Sequence, residues 1–435
     1  MSSEIKGKKL LVLGGTRISC EIIKKAQEMG LFVIVTDYNQ PKDSPGKLIA
    51  NQYFNISATD VDQVASLIKS EGIDGVLTGF ADVLLPYYAK ICYKTQLPAY
   101  ATEEQFRVFV DKQKYIPLFK NFGVPVPDTY DINFSESIGN KDIKFPVIVK
   151  PSDSSGARGV FICHNYDQLT QFYSASLNFS KTKSVRIEQL LEGPEVTAFY
   201  LVQNGSPIFL GLANRHVENN QEEGVLPLPV GYTFPSVYTQ RYVEEVVPKV
   251  YEALKDMDLK NGFLFMQCIV VGGIPKVYDV GLRLTGSLEY YIFDKIFEYN
   301  PLEMLIRFSI TGDMGEAVES KIRLDFNGVY GWNISFLMKP GTIEKIEGID
   351  IIQNIPGVIK AVVSHVEGES LPESAKGLLS QICCRVLGYS RTLDEMETTI
   401  ERVTESLRVL DESGNSLLLP VLVINKYKDT IMIKG

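Results

Sequence analysis

The sequence of 435 residues has few of the side chains that build metal or disulfide sites. It holds three histidines and six cysteines, and the cysteines lie either far apart or next to each other, with no C-x-x-C pair. Zinc sites and disulfide frameworks need such side chains at short, regular spacings. We therefore expect neither kind of site, and we expect the thiols to be reduced and buried.

Long apolar runs and an excess of positive charge are also missing. No stretch approaches the roughly 18 apolar residues of a membrane helix, and the amino terminus passes from charged residues into a short strand without the apolar core of a signal peptide. The net charge is −9, and no aromatic-rich basic patch offsets it. Such a chain lacks the electrostatic footprint of nucleic-acid binding. These absences predict a cytoplasmic protein that binds neither nucleic acid nor membrane.

What the sequence does have is length enough for about three domains of roughly 100 to 200 residues each. Residues 8 to 110 alternate short apolar strands with amphipathic helices, which predicts a doubly wound parallel sheet in an α/β protein. A predicted helix at Asp111–Phe122, followed by the extended segment VPVPDTY, marks a boundary. The predicted domains cover residues 1–110, 111–318 and 319–435. The predicted elements include a helix at Gln240–Met257 and strands at Lys9–Leu13, Phe32–Thr36, Gly262–Val271, Thr342–Glu347 and Leu417–Asn425.

The turn after the first strand has some features of a dinucleotide-binding fold. It carries Gly14 and Gly15, and Asp37 ends the second strand. The G-x-G-x-x-G spacing fails, however, because Thr16 and Ser19 occupy the second and third glycine positions, where glycine allows close approach of the pyrophosphate. A βαβ scaffold with a tight turn is the favoured interpretation, and nicotinamide binding is the alternative.

The stretch at residues 146–160, PVIVKPSDSSGARGV, is the most informative one. A short apolar strand ends at Lys150, and small residues follow up to Gly159. Small residues let backbone N–H groups approach a phosphate closely, and a lysine neutralises its charge. The stretch predicts a polyphosphate-binding loop, although an ordinary Gly/Ser turn with a solvent-facing lysine fits it equally well.

A predicted hairpin, MQCIVVGGIPKVYDVGLRL, carries polar residues in apolar surroundings. Gln267 and Asp279 fall on two strands joined at Gly272-Gly273, so their side chains can meet across the ladder. Mg²⁺ takes one or two carboxylates and completes its octahedron with phosphate oxygens and water. The hairpin therefore predicts a metal site, with a strand-end Asp279 that caps a turn as the alternative.

In their order and spacing, this loop, the segment RIEQLLEGPE and the hairpin resemble the ATP-grasp superfamily, most closely its carboxylate–amine ligases related to carbamoyl phosphate synthetase and biotin carboxylase. The resemblance implies an amino-terminal pre-ATP-grasp domain, an ATP-grasp α+β domain and a small carboxy-terminal α+β domain. It implies an enzyme that uses ATP with Mg²⁺, or Mn²⁺, to phosphorylate a small carboxylate and pass the acyl group to a small amine. A homodimer is a further expectation.

The resemblance also implies a role for each site residue. The implied nucleotide ligands are Lys112, Lys150, Ser154, Ser155, Gly156, Gly159, Glu188, Gln189, Leu191 and Glu195. Glu188 is expected at the adenine amine and Glu195 at the ribose hydroxyls, because both ligand groups donate and a carboxylate only accepts. The implied metal ligands are Gln267 and Asp279, and the implied catalytic residues are Lys150 and Arg283, the latter stabilising the acyl phosphate.

The chain departs from the family at the metal end. The family's second metal ligand is usually Glu with Asn two residues on, where this chain has Asp279 and Gly281. One or two metal ions, and full catalytic competence, therefore stay open. So do two alternatives to the ligase: a bicarbonate-phosphorylating carboxylase or carbamoyl phosphate synthetase-like enzyme, and a protein that binds ATP without turnover. Arg215 and His216 are expected either at the acid or γ-phosphate or on a strand surface.

Overall fold

The computed structural model describes residues 4–130, 143–152, 159–218, 228–422 and 429–431. The predicted loop residues Ser154, Ser155 and Gly156 lie outside these ranges. The strands are β1 Lys9–Leu13, β2 Phe32–Thr36, β3 Gln52–Phe54, β4 Gly75–Leu77, β5 Thr129–Tyr130, β6 Val147–Pro151, β7 Phe161–Cys163, β8 Val185–Gln189, β9 Glu195–Gln203, β10 Ser206–Glu218, β11 Leu228–Phe234, β12 Gly262–Val271, β13 Ile274–Gly281, β14 Tyr330–Leu337, β15 Gly341–Thr342, β16 Lys345–Glu347, β17 Val358–Val363, β18 Ser370–Leu371, β19 Ile382–Ser390 and β20 Arg408–Leu410. The helices are α1 Ser19–Glu28, α2 Pro45–Ile49, α3 Val61–Glu71, α4 Leu85–Thr95, α5 Glu103–Val110, α6 Lys112–Asn121, α7 Tyr166–Phe179, α8 Thr239–Glu245, α9 Val247–Asp256, α10 Tyr290–Phe297, α11 Pro301–Thr311, α12 Ile349–Gln353 and α13 Leu393–Ser406.

The amino-terminal part forms the predicted parallel sheet, in the order β3-β2-β1-β4. Its central strands are almost wholly buried apolar runs, as expected for a parallel sheet with covered faces. The α/β fold class predicted from the sequence is confirmed. None of the helices in the described ranges combines the length and the apolarity that crossing a membrane requires.

The turn after β1 is held closed by Asp37. The Gly15 amide donates a 2.8 Å hydrogen bond to Asp37 Oδ2, and the Ser44 hydroxyl lies 3.3 Å from the same oxygen. Asp37 is buried, so its carboxylate serves the turn. This arrangement is the βαβ scaffold with a tight turn that the failed glycine spacing favours.

The centre of the molecule is an antiparallel sheet of eight strands, in the order β13-β12-β9-β10-β11-β14-β19-β17. The last three strands come from beyond residue 319, so the sheet runs on across the predicted boundary at residue 318. The domain limits themselves stay a prediction. One continuous apolar core joins the amino-terminal sheet to the first strands of the large sheet, and a second core lies at its far end.

A second antiparallel sheet is smaller, with the order β5-β8-β6-β7, and α7 packs against it. It has its own small core. This sheet carries the strand that ends at Lys150.

Three secondary-structure predictions are wrong. The helix predicted at Gln240–Met257 is two helices, because Pro248 lies in the first turn of α9, where its missing N–H is tolerated. The strand predicted at Leu417–Asn425 forms only an isolated bridge, at Leu418, within the described residues. The single strand predicted at Thr342–Glu347 is two short ones, β15 and β16.

Candidate functional site

The predicted loop lysine, Lys150, lies at the end of β6 and is buried, not solvent-facing. Its ammonium group forms an ion pair with Oε2 of Glu188, and Nε of Arg186 lies 2.9 Å from Oε1 of the same carboxylate. Burial alone would raise the pKa of Glu188, but Lys150 and Arg186 lower it below its usual value. Burial and the neighbouring cations lower the pKa of Lys150. Glu188 therefore stays ionised inside a cationic cluster.

A second ion pair joins the β12–β13 hairpin to α6. The ammonium group of Lys112, the first residue of α6, lies 2.9 Å from Oδ1 of Asp279. Burial opposes the charge on both groups, yet the pairing raises the pKa of Lys112 and lowers that of Asp279. Asp279 lies directly opposite Gln267 in the β12–β13 ladder, as predicted.

The two ion pairs form one electrostatic cluster. Asp279 interacts with Lys150 as well as Lys112, and Lys112 also interacts with Glu188. Together with Arg186, the cluster holds three cations and two carboxylates. The cluster therefore has a net charge of one positive unit in poorly solvated surroundings, and such a charge attracts a polyanion.

Three more predicted nucleotide ligands, Gln189, Leu191 and Glu195, follow Glu188 in the sequence. The Gln189 side-chain oxygen accepts a 3.2 Å hydrogen bond from Lys276, and Leu191 is buried. Glu195 accepts a 2.9 Å hydrogen bond from Tyr278 and forms an ion pair with Arg215. The roles assigned to these residues by resemblance stay predictions.

Arg283, the predicted catalytic arginine, is fixed by a residue of the amino-terminal part. Its Nε and Nη2 donate to the two carboxylate oxygens of Asp82 at 2.6 and 2.7 Å. Its guanidinium also stacks 5.0 Å from the ring centre of Phe265, and its charge acts on Asp279. A bidentate pair of this kind sets the plane of a guanidinium as well as its position.

Asp82 was missed by the sequence reasoning, although a signal exists. It follows β4 by a few residues, at the carboxyl edge of the parallel sheet, where ligand sites of such folds lie.

The departure at position 281 has a steric cause. A Cβ atom added to Gly281 would lie 2.5 Å from Cε1 of Phe265. The ring therefore occupies the space that a side chain at position 281 would need. Phe265 is itself held against Arg283.

The side chains of the hairpin fit one Mg²⁺ ion. Asp279 offers a carboxylate and Gln267 an amide oxygen, which suffices for an ion that also takes phosphate oxygens and water. Within the residues that the structure covers, no group of three or more His, Cys, Asp or Glu side chains is placed to hold a metal by itself. The hairpin is therefore suited to an ion that arrives with a polyphosphate.

Three further predicted residues are Gly159, next to the small sheet, and Arg215 and His216 on β10. Gly159 has φ +75°, and a Cβ there would clash with Phe179 at 2.6 Å, so only glycine fits this end of the loop. Arg215 and His216 are both largely buried, which rules out the surface-strand alternative. Burial lowers the pKa of His216 to about 3, and its ring lies 2.8 Å from the Thr233 hydroxyl, so His216 is neutral.

Residues 109–287 match the sequence family described as the ATP-grasp domain. The carbamoyl phosphate synthase large chain of Clostridium botulinum is 23% identical over 303 residues, which are 66% of this chain. This chain spans 28% of the length of that relative.

Two solved structures share the fold over nearly the whole chain. Phosphoribosylglycinamide synthetase from Anaerococcus prevotii has a TM-score of 0.73 at 19% identity, covering 94% of this chain and 100% of that one. L-amino acid ligase from Bacillus licheniformis has a TM-score of 0.73 at 18% identity, covering 94% and 99%. The matched range contains every described residue of the cationic cluster and the hairpin, so both lie in a segment of the chain that is similar to the ATP-grasp domain family.

Proposed function

We propose that this chain is an ATP-dependent ligase that phosphorylates a small carboxylate and transfers the acyl group to an amine. The observation that carries the proposal is the cluster of Lys112, Lys150 and Arg186, whose excess positive charge faces the Gln267–Asp279 hairpin. The similar proteins named above as a synthetase, a synthase and a ligase support the same class of reaction.

In this proposal the two lysines exchange carboxylate partners for phosphate partners. Lys150 leaves Glu188 for the phosphates, and Lys112 leaves Asp279. Glu188 keeps Arg186 as a counter-charge, so the exchange leaves no carboxylate bare. Asp279 and Gln267 would then hold Mg²⁺, which supplies neutralisation of the phosphate oxygens.

The reaction runs in two displacements. An oxygen of the acid attacks the γ-phosphorus, the bond to the β,γ-bridging oxygen breaks, and ADP leaves. The amine nitrogen then attacks the acyl carbon of the acyl phosphate, loses a proton, and inorganic phosphate leaves. Arg283, which Asp82 holds through two hydrogen bonds, would stabilise the negative charge that builds up in both steps.

Two other functions are outcomes of the same test. A bicarbonate-phosphorylating enzyme is the first. An ATP-binding protein without turnover is the second, and it is favoured by the missing amide at Gly281.

The test is phosphate release from ATP and Mg²⁺ across a matrix of carboxylic acids and amines, with labelled bicarbonate included as one acid. Release that needs an acid, together with an amide product by mass spectrometry, supports the ligase. Stimulation by bicarbonate alone supports the first alternative. ATP binding without release under any combination supports the second.

A further inference from the structure

One face of the large sheet carries polar side chains beyond the nucleotide region. Arg215 of β10 lies opposite Tyr232 of β11, which lies opposite Asn333 of β14. Two residues further along β14, Ser335 lies opposite Arg385 of β19. Residues opposite each other, or two apart on one strand, share a face. A polar row therefore leads from β10 to the far side of the sheet.

Arg385 is a partly buried cation, and within the described residues no carboxylate lies at ion-pair distance from it. Its Nε has no hydrogen-bond partner in the described part of the chain, and its charge interacts with Tyr232 and Glu289 only at longer range. Burial lowers the pKa of Arg385. An arginine kept in this state costs folding free energy, which points to a ligand that compensates the charge.

Glu289 is the complementary group. It is 0% exposed, and hydrogen bonds from the Ser287 and Thr285 hydroxyls only partly offset the burial that raises its pKa. Its Oε1 makes no hydrogen bond among the described residues. The Asn333 side-chain oxygen and the Ser335 hydroxyl are likewise buried and without a partner there. Opposite charges and unused hydrogen-bonding atoms thus lie in one buried cluster.

Glu289 and Arg385 lie on the same side of the sheet. Glu289 precedes α10, and Lys295 of α10 lies 5.3 Å from the ring centre of Tyr389, which shares a face with Arg385. Asn333 also donates to the backbone oxygen of Ser287, in the loop before α10. The same loop begins with Arg283, so the cluster adjoins the proposed phosphoryl-transfer site.

We propose that Glu289 and Arg385 form the acid-substrate site and that the acid is an α-amino acid. Its ammonium group donates to Oε1 of Glu289, its carboxylate accepts from Arg385, and Asn333 and Ser335 take remaining hydrogen bonds. The inference rests on the proposed function. Because the ammonium stays protonated against Glu289, it is not the nucleophile, and this amino acid contributes its carboxylate.

A zwitterion suits the cluster better than a simple acid does. An acid without an ammonium group would compensate Arg385 and leave the Glu289 carboxylate buried and unpaired. An amine without a carboxylate would do the reverse. Both partial ligands leave a buried charge without a partner, which is expensive.

The test is equilibrium binding to the full chain with Mg²⁺ and a non-hydrolysable ATP analogue. The twenty standard L-amino acids are screened by thermal shift. Titration calorimetry then compares matched sets, such as L-leucine, 4-methylpentanoate and isopentylamine, or L-phenylalanine, 3-phenylpropanoate and 2-phenylethylamine. We expect at least one amino acid to bind, and its two partial analogues to bind about 100-fold more weakly.

Variants locate the binding. Glu289→Gln and Arg385→Met should each weaken amino acid binding at least about tenfold and leave affinity for the ATP analogue unchanged, which also shows that the variants fold. Glu252→Gln, an exposed carboxylate on α9, is the matched control and should change neither affinity.

Three results would overturn the inference: no amino acid binds, a deamino acid binds as well as its amino acid, or Glu289→Gln binds like the parent. Amide formation from simple acids without an ammonium group would leave the ligase proposal standing and remove this site. If no acid stimulates phosphate release but amino acids still bind, the ligase proposal falls and this binding site stands.

Discussion

The Lys112 ammonium group lies 2.9 Å from Oδ1 of Asp279, so a predicted phosphate ligand is paired with a predicted metal ligand. A metal ion that binds Asp279 takes this carboxylate away from Lys112, and a phosphate that binds Lys112 then replaces it. In the same way, the metal ion replaces Lys112 as the partner of Asp279. Binding of nucleotide and metal should therefore be coupled through this one contact.

Lys112→Met should weaken binding of the ATP analogue about 10- to 100-fold, as expected for loss of a charged hydrogen bond to phosphate. Asp279→Asn should instead abolish the dependence of nucleotide affinity on Mg²⁺. Titration calorimetry with and without Mg²⁺ measures both effects. Lys114→Met, an exposed lysine on the same helix, is the control. Equal metal dependence in Asp279→Asn and the parent would exclude Asp279 as a metal ligand.

Lys150→Met should separate nucleotide binding from stability. Removal of Lys150 leaves Glu188 paired with Arg186 and takes away the excess positive charge, so the free energy of unfolding should change by less than about 1 kcal/mol. Affinity for the ATP analogue should fall at least about tenfold.

Glu188→Gln should behave differently, because it leaves the buried cations Lys150 and Arg186 without their carboxylate. We expect it to lower the free energy of unfolding by about 3 kcal/mol. Urea denaturation and calorimetry measure the two variants side by side. Lys150→Met with parental nucleotide affinity would place this lysine outside the site.

Asp82→Asn should slow turnover without weakening nucleotide binding. Arg283 would lose one charged partner for its bidentate contact and sample other orientations. We expect kcat to fall about 10- to 100-fold with little change in KM for ATP, which is the pattern of a positioning residue. An increase in KM with kcat intact would show that Asp82 acts on binding instead.

Gly281 should limit the site to one metal ion. Mn²⁺ titration followed by electron paramagnetic resonance, with the ATP analogue present, should give one ion per chain. Gly281→Ala should destabilise by about 1–3 kcal/mol because its Cβ meets the Phe265 ring, and Phe265→Leu should relieve part of that cost in the double variant. Two tightly bound ions in the parent would contradict the steric argument.

Glu289→Gln should stabilise the protein near neutral pH. Burial raises the pKa of Glu289 in the folded state, so the folded chain holds its proton more tightly than the unfolded chain. Stability contributed by this group therefore falls as pH rises from the unfolded pKa, about 4, through the folded one.

Urea denaturation should show the variant more stable than the parent by about 1 kcal/mol at pH 7.5, with the difference vanishing below about pH 4. The control is Glu252→Gln, whose exposed carboxylate should produce no such difference. A parent more stable than the variant at pH 7.5 would mean that Glu289 already has a strong partner.

The sequence predicted well those elements whose signal is local. The strands Lys9–Leu13, Phe32–Thr36 and Gly262–Val271 have the predicted bounds, because each is an apolar run that begins or ends at glycine or polar residues. The hairpin itself was predictable for the same reason, but the exact Gln267–Asp279 pairing also depends on a register shift between Gln267 and Cys268. Strand β19 escaped notice because it is buried on both faces and shows no alternation.

The parts that escaped prediction depend on the tertiary arrangement. Asp82 contacts Arg283 only after distant segments pack together. The same packing brings Glu289 to the side of the sheet on which Arg385 lies. The consequence of Gly281 likewise needs the register that puts Phe265 opposite it. Single-residue patterns carry no record of such contacts.

The central claim, transfer of the γ-phosphoryl group to a carboxylate, is tested most directly with ¹⁸O. Acids that stimulate phosphate release are prepared with ¹⁸O in the carboxylate and incubated with the full chain, ATP, Mg²⁺ and amine. The account predicts one ¹⁸O atom in each phosphate released. Phosphate that carries no ¹⁸O from the acid would contradict it.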